Sequence, residues 1–431
     1  MTDKVIYLNS GKCGWGNCIF CGWGAKEARV KSIHELKKMI DDVFLTEEFD
    51  RIKIFNSGSF LDERQIPRAF RSYLVRKCEA AGVKDIVIES RGEYLTQQFV
   101  DDMKSGKVKV TIGYGLEVAD DEMLAKLKKG ATVEGFVTAS NFLHKNGFGM
   151  RAYVMANAPY TTRESLRKTL DIAMKHADSI CIMNWFPHGA SKAFDLWIEG
   201  KWKPLTEREF NDWTADFTDK KVEKYFDEFG FKPHWPMDKQ TEIVGATEKE
   251  LTHPYYEVWQ EYINGFWKAP KDKDILLFIP CAYRKPYFNS KLHKAIFSVL
   301  EKMKVYSRLQ ICAISSPGVI PYEYANYYPF NRYDWPEWEE TDAIKEKYIA
   351  VTEKRIKNFL TAHGKNWKHI YCYFKPTSES YQALKLATEK LHIKLVNCIK
   401  DETYEALKDE KNPLSLTAAL DDLKTTLHGC S

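Results

Sequence analysis

Six apolar runs rich in β-branched residues, at 5–8, 52–55, 85–88, 108–112, 150–155 and 179–183, recur through the first part of the chain. Between most of them lie stretches whose apolar residues repeat at helical spacing, as at 33–40, 120–129, 133–144 and 162–176. Strand, amphipathic helix and strand in succession describe a parallel pairing, because two parallel neighbours need a crossover long enough to hold a helix. Six such βα units restrict the fold to an open or closed α/β barrel.

In a parallel barrel the loops that leave the strand C-termini carry the chemistry. The polar and glycine-rich residues fall there: the loop Gly11 to Gly22 after the first strand, Asn56-Ser57-Gly58-Ser59-Phe60-Leu61-Asp62 after the second, and Glu89-Ser90-Arg91-Gly92-Glu93 after the third. Gly113-Tyr114-Gly115-Leu116-Glu117 follows the fourth run, Ala156 to Tyr160 the fifth, and Asn184 to Gly189 the sixth. One rim therefore collects them all.

The first loop, Gly11-Lys12-Cys13-Gly14-Trp15-Gly16-Asn17-Cys18-Ile19-Phe20-Cys21-Gly22, holds the only closely spaced cysteines among the ten in the chain. A disulfide framework belongs to small secreted domains, and 431 residues calls for two domains instead. Cysteines such as Cys181, Cys312 and Cys372 sit in strand-like runs and read as buried small hydrophobes. Three neighbouring thiols can take a zinc ion only if a remote residue completes the site. They can also hold a four-iron cluster that leaves one iron open to a cofactor.

The cysteine loop and the blocks Asn56 to Asp62, Glu89 to Glu93 and Gly115-Leu116-Glu117 closely resemble those of the Elongator-like radical S-adenosylmethionine (SAM) enzymes, particularly the enzyme of archaeosine formation. Cys13 and Cys18 enclose four residues where the family usually has three, a wider spacing that relatives of the Elongator catalytic subunit also show. The resemblance implies a partial (β/α)6 TIM-type barrel over residues 1–236, with a [4Fe-4S] cluster on Cys13, Cys18 and Cys21. It also implies SAM along Ser57, Gly58 and Ser59, with Glu117 on the ribose hydroxyls, Arg91 on the SAM carboxylate and Glu89 orienting Arg91 or touching substrate. An arrangement Asp195-Leu196-Trp197-Ile198-Glu199-Gly200-Lys201-Trp202-Lys203-Pro204 resembles the same enzyme, and a helix is expected around 207–229.

Residues 237–272 are mixed and charged and read as a helical linker. A second alternation follows at 273–400, with strands at 275–279, 310–314, 369–374 and 394–398 and helices at 291–302, 342–360 and 379–391, which predicts a smaller three-layer α/β domain on a parallel sheet. Residues 401–431 read as a helical tail. The first strand of this domain runs into Pro280-Cys281-Ala282-Tyr283-Arg284-Lys285-Pro286-Tyr287-Phe288-Asn289-Ser290-Lys291-Leu292-His293. The Pro-Cys, Lys-Pro-Tyr, Ser and His spacing resembles the signature of archaeosine synthase, and Ser315 to Glu323, Tyr328-Pro329 and Arg332-Tyr333-Asp334 resemble its core. A structural reading also stands, with Asn289 or Ser290 capping the helix and His293 packing beneath it.

Together the resemblances imply archaeosine-type modification of 7-deazaguanine in tRNA. The second domain would add the lysine side-chain amine to the nitrile of 7-cyano-7-deazaguanine, as an amidinotransferase-like domain. The first would then break the lysine C–N bond as a radical SAM lyase and leave the formamidine. Cys281 is the expected nucleophile, His293 the proton carrier, and Lys285 or Tyr287 the stabiliser of the nitrile nitrogen, with Ser290 in the same signature. Implied partners are tRNA, lysine, a reductant protein such as ferredoxin or flavodoxin, and a tRNA-delivering subunit, since no RNA-binding module is recognisable. Alternatives are the same chemistry on DNA or a free deazaguanine, and a zinc-bearing or cluster-free nucleic-acid-binding or assembly subunit. With 64 Lys and Arg against 60 Asp and Glu, charge balance does not announce a nucleic-acid surface. No signal sequence or membrane-length apolar run is visible, so a soluble cytoplasmic protein without membrane contact is expected.

Overall fold

The structure, a computed structural model, describes residues 2–24, 27–188, 191–226 and 230–429. The chain divides into two compact units, Met1–Phe231 and Lys232–Ser431.

In the first unit, β1 (Asp3–Tyr7), α1 (Ile33–Thr46), β2 (Arg51–Phe55), α2 (Arg68–Ala80), β3 (Asp85–Glu89), α3 (Gln97–Met103), β4 (Lys109–Glu117), α4 (Asp121–Lys126) and α5 (Val133–Lys145) lead into β5 (Gly149–Met155). Then come α6 (Arg163–His176), β6 (Ser179–Met183), α7 (Ala193–Ile198), α8 (Glu207–Thr214) and β7 (Val222–Tyr225). The strands pair in chain order, each parallel to the next, in a curled half-barrel sheet. Helix starts are fixed by capping: Ser32 and Glu35 form a capping box on α1, and Thr162 caps α6.

Strand alternation divides the sheet chemically. Ile52 and Ile54, Ile86 and Ile88, and Ile180 and Ile182 are buried within the helix-packed core with Leu36, Ile40, Phe70 and Leu170. The intervening residues form the other face, where Glu89, Gly113, Arg151 and Ser179 stand at one level across β3 to β6. That face is polar, with Arg51 bonded to Asp85 at 3.1 Å and Arg151 to Glu223 at 2.6 Å.

Two local expectations change here. The helix expected around 207–229 ends at Thr214, and Val222–Tyr225 instead adds a seventh strand; residues 227–229 lie outside the described ones. Val-Glu-Lys-Tyr is too short and polar to show as an apolar run, and it is a strand because β6 offers a free edge to pair with. Strand β4 also continues through Gly113-Tyr114-Gly115-Leu116-Glu117, expected as a loop, because Tyr114 and Leu116 alternate into the core.

The second unit contains β8 (Ile243–Val244), α9 (Glu248–Leu251), α10 (Pro254–Gly265), β9 (Ile275–Pro280), α11 (Lys291–Leu300), β10 (Leu309–Ser315), β11 (Gly318–Pro321) and β12 (Tyr333–Asp334). After these come α12 (Asp342–His363), β13 (His369–Cys372), α13 (Glu379–Lys390), β14 (Leu395–Asn397), α14 (Asp401–Leu407) and α15 (Thr417–His428). The main sheet has the order β11-β10-β9-β13-β14, and β8 pairs with β12 in a separate two-stranded ladder. Four strands are parallel as expected, but β11 is a fifth, antiparallel one. A tight reversal at Ser315 to Gly318, with Gly318 at φ +106°, makes this hairpin, and a reading based on βα alternation does not register it. Helix α10 lies in the stretch read as a linker; its Trp259 and Tyr256 are fully buried, and Gln260 binds both backbone groups of Val319.

Candidate functional site

The cysteine loop is pinned to the rim at several strand ends. Ser57 Oγ donates to the Gly11 carbonyl at 2.9 Å, the Ile19 N–H to Leu127 O at 3.1 Å, and Trp185 Nε1 to Phe20 O at 2.9 Å. The Gly22 N–H donates to His188 Nε2 at 3.1 Å, while the other ring nitrogen of His188 faces Phe186 O at 2.9 Å, so the proton sits on Nδ1. Trp15 Nε1 reaches Lys128 O at 2.8 Å. Cys13, Cys18 and Cys21 are half-buried free thiols. Burial pushes Cys18 up to about 11 against the pull of the Lys129 ammonium. Burial also raises Cys21, opposed by N–H groups of Gly24 and Trp23. Among the described residues no three His, Cys, Asp or Glu side chains stand close enough to grip a metal ion.

Around the loop, the other expected residues are placed as follows. A Cβ on Gly58 would come within 2.9 Å of Cys13 Cα and 2.5 Å of Gln65 Oε1, so only glycine allows this approach. Ser59 Oγ accepts from the Arg91 N–H at 3.1 Å. The Arg91 side chain, expected on a cofactor carboxylate, has all three nitrogens engaged: Nη1 with Lys129 O, Nη2 with Gly130 O and Nε with Glu93, its Cζ 4.9 Å from the Trp15 ring centroid. Glu117, at φ +61°, holds Lys129 Nζ at 2.5 Å, and the glycine at 115 leaves room for that pair. Glu89 ends β3 beside Tyr153; burial raises its carboxyl to about 7. A narrow cleft between Ser90, Arg91, Tyr114, Gly115 and Lys129 opens at this rim.

In the second unit the Cys281 thiol is half-buried at the end of β9, with its N–H on Ile314 O and the Ser315 hydroxyl against its sulfur. Lys285 is 9% exposed, with its Nζ 4.1 Å from the Tyr333 ring centroid and 3.8 Å from Asp334 Oδ1. Tyr333 is a junction: its hydroxyl lies 2.5 Å from both Tyr287 Oη and Ser315 Oγ. Burial raises the Cys281 thiol and lowers the Lys285 ammonium, so both are held toward their neutral forms.

His293 occupies a different place from the one expected of a proton carrier. It is fully buried, with Nε2 on Pro280 O at 2.9 Å and Nδ1 on Tyr322 Oη at 3.1 Å, and burial lowers it to about 4. Both nitrogens are committed, so it braces the end of β9 immediately before Cys281. Ser290 is the N-cap of α11, accepting from the His293 N–H at 3.1 Å. The structure thus gathers Cys281, Lys285 and Tyr287 and places Ser290 and His293 in the support beneath them.

Residues 10–173, which contain the cysteine loop and the surrounding rim blocks, match the model of the Radical SAM superfamily. Residues 10–173 form a radical SAM domain. Residues 257–413, which contain the Cys281 signature, match a Domain of unknown function (DUF5591). Archaeosine synthase subunit beta of Methanosarcina acetivorans is 27% identical over 219 residues, 47% of this chain and 63% of the relative. Archaeosine synthase subunit alpha of the same organism is 29% identical over 180 residues, 41% of this chain and 27% of the relative. The chain therefore spans less than two thirds of either relative. A solved structure, the queuine lyase from Clostridium spiroforme bound to SAM and queuine, is 19% identical with a TM-score of 0.38, covering 52% of this chain and 90% of that one.

The radical SAM family implies a [4Fe-4S] cluster and SAM, and the residues of this domain fit them. Three thiols outside any disulfide stand on one loop, and the side-chain-free Gly58 lies against Cys13. The buried Gln65 Nε2 beside Gly58 lacks a hydrogen-bond partner. No described helix is long and apolar enough to cross a membrane.

Sequence reasoning placed Ser315, Tyr333 and Asp334 in blocks that resemble the synthase core without giving them a role, and it gave none to Lys129 or His188 in the first unit. Lys129 sits in a turn next to Gly130, and no spacing signals that its ammonium folds back to Glu117. Tyr333 and Asp334 lie far along the chain from Cys281, and Tyr333 joins its surroundings through Ser315 and Tyr287.

Proposed function

We propose that the chain carries out archaeosine-type modification of 7-deazaguanine in tRNA, with lysine addition in the second unit and lysine C–N cleavage in the radical SAM domain. The observation that carries the proposal is the Cys281 and Lys285 pair: a half-buried thiol next to a buried amine that has no hydrogen-bond partner among the described residues. Archaeosine synthase subunits among the relatives support the substrate class.

In this reading Cys281 adds to the nitrile carbon. The C–S bond forms, the thiol proton moves through the Lys285 amine to the nitrile nitrogen, and a thioimidate results. The lysine substrate's ε-amine then forms the C–N bond while the C–S bond breaks and the thiol takes back its proton, giving an amidine. Tyr333 and Ser315, with Tyr287 behind them, hold the sulfur and the nitrogen in place. On the other unit Cys13, Cys18 and Cys21 would hold the cluster, and Ser57, Gly58, Ser59, Glu89, Arg91 and Glu117 would line the place of SAM. When bound, these groups supply one-electron chemistry that activates a C–H bond of the lysine part. Arg91 acts there by clamping the 129–130 turn against Trp15, which shapes the wall. Both activities on one chain raise the effective concentration of the adduct at the second site. Lysine and a reductant protein such as ferredoxin or flavodoxin complete the partner set, with a separate subunit delivering tRNA.

The test incubates reconstituted protein and Cys281→Ala with SAM, reductant, lysine and tRNA bearing 7-cyano-7-deazaguanine, followed by mass analysis of nucleosides. The wild type should give the formamidine. The variant should form no lysine adduct while still consuming SAM. Normal adduct formation by the variant overturns Cys281 as nucleophile, and a wild type that leaves the nitrile untouched overturns the whole reading.

A further inference from the structure

The segment after Cys281 carries a feature that neither the thiol chemistry nor packing uses. Tyr283, two residues from the nucleophile, is 74% exposed, and Trp338 is 71% exposed, among the most exposed large hydrophobic side chains of the protein. They come from stretches more than fifty residues apart, yet their ring centroids lie 6.2 Å from each other at an interplanar angle of 50°. Both border the thiol site, since Glu337, next to Trp338, acts electrostatically on Cys281 and on Lys285. Two large aromatics held together in water bury little of their own surface. Aromatic rings left exposed beside a reactive centre are the usual platform for a flat heterocycle, because every base has a π-face to stack.

The polar fringe of this platform narrows the class of ring. Asp334 Oδ1 is buried without a hydrogen bond, 3.8 Å from the Lys285 ammonium, and Glu337 and Glu339 flank Trp338 in the sequence. Carboxylate acceptors suit a ring edge that presents N–H groups, as a guanine-type edge does. Arg284, exposed and next to Tyr283 in the sequence, adds a cation that suits a backbone phosphate following the base.

We propose that Tyr283 and Trp338 form a stacking platform that holds a guanine-type base, taken out of its own stack, with its nitrile over Cys281. The proposal rests on the second unit acting on a nitrile-bearing deazaguanine and names the residues that bind it. Lifting a base from its neighbours forfeits its stacking, and an exposed aromatic pair next to the reacting thiol restores stacking where the chemistry occurs.

The experiment uses the full chain and 7-cyano-7-deazaguanine as the probe. Equilibrium dialysis measures its affinity for the wild type, Tyr283→Ala, Trp338→Ala and Trp338→Phe. In parallel, iodoacetamide alkylation of Cys281 reports whether each variant keeps the thiol site intact. The expected result is about tenfold weaker binding in each alanine variant, as befits loss of one stacking partner. Trp338→Phe should retain most of the affinity, and alkylation should be unchanged in all. In turnover with nitrile-bearing tRNA the alanine variants should raise KM with little change in kcat. Alanine variants that bind within twofold of wild type overturn the platform even if the wild type makes the lysine adduct. A wild type that binds the base tightly through these residues yet never forms an adduct supports the platform and removes the proposed chemistry. No binding of the base by the wild type overturns both.

Discussion

Lys129→Met is the most direct probe of the radical SAM rim. Lys129 is 13% and Glu117 8% exposed by side chain, and their charged atoms lie 2.5 Å apart. Removing the ammonium leaves a carboxylate fixed at φ +61° with little access to water. Breaking a buried pair from one side costs about 3 to 5 kcal/mol. For a unit the size of Met1–Phe231 that corresponds to roughly 6 to 20 °C in its thermal midpoint. Differential scanning calorimetry of the whole chain should show a transition displaced by this amount. The double variant Glu117→Gln with Lys129→Met should recover part of the loss, because the unpaired charge is then gone. An independent readout is Cys18: the Lys129 charge lowers its thiol pKa, so the variant should react more slowly with iodoacetamide near pH 8. A midpoint within about 2 °C of wild type, or a double variant as unstable as the single one, would show that the pair does not hold the rim.

Other outcomes follow from individual residues. Glu89 is raised on folding from 4.5 to about 7, so its contribution to stability is complete below about 4.5 and disappears as pH rises through 7. Thermal melts should therefore show wild type losing stability relative to Glu89→Gln between pH 5 and 8. Gly318→Ala should cost about 2 to 4 kcal/mol in urea unfolding. Its Cβ would meet Gln260 Cδ at 2.6 Å and Arg355 Cδ at 2.8 Å, and both side chains are fixed by hydrogen bonds. Tyr333→Phe removes the hydroxyl shared by Tyr287 and Ser315 and should slow lysine addition about tenfold, a loss of one positioned buried hydrogen bond; nucleoside mass analysis over time measures it.

Periodicity made most of the architecture legible. The apolar runs that became β1 to β6 and β9, β10, β13 and β14 carry their own signal, because a strand buried on its helix side must be apolar wherever it is placed. Strands β7, β8, β11 and β12 carry none. They are two to four residues long, and what makes each a strand is the edge it pairs with.

The site divides in the same way. Sequence alone put three cysteines on one rim loop and Cys281 and Lys285 on one strand end, since short chain separations confine what those residues can reach. It also named Arg91 and Glu117 for a cofactor and left His293 as either a proton carrier or a packed residue. Only the tertiary structure decided that Arg91 clamps a turn, that Glu117 holds Lys129 and that His293 braces β9, because those partners come from distant segments. The same physical reason brings Tyr333 to Ser315 and Tyr287 beside Cys281: local sequence sets which groups are available, and packing decides which of them meet.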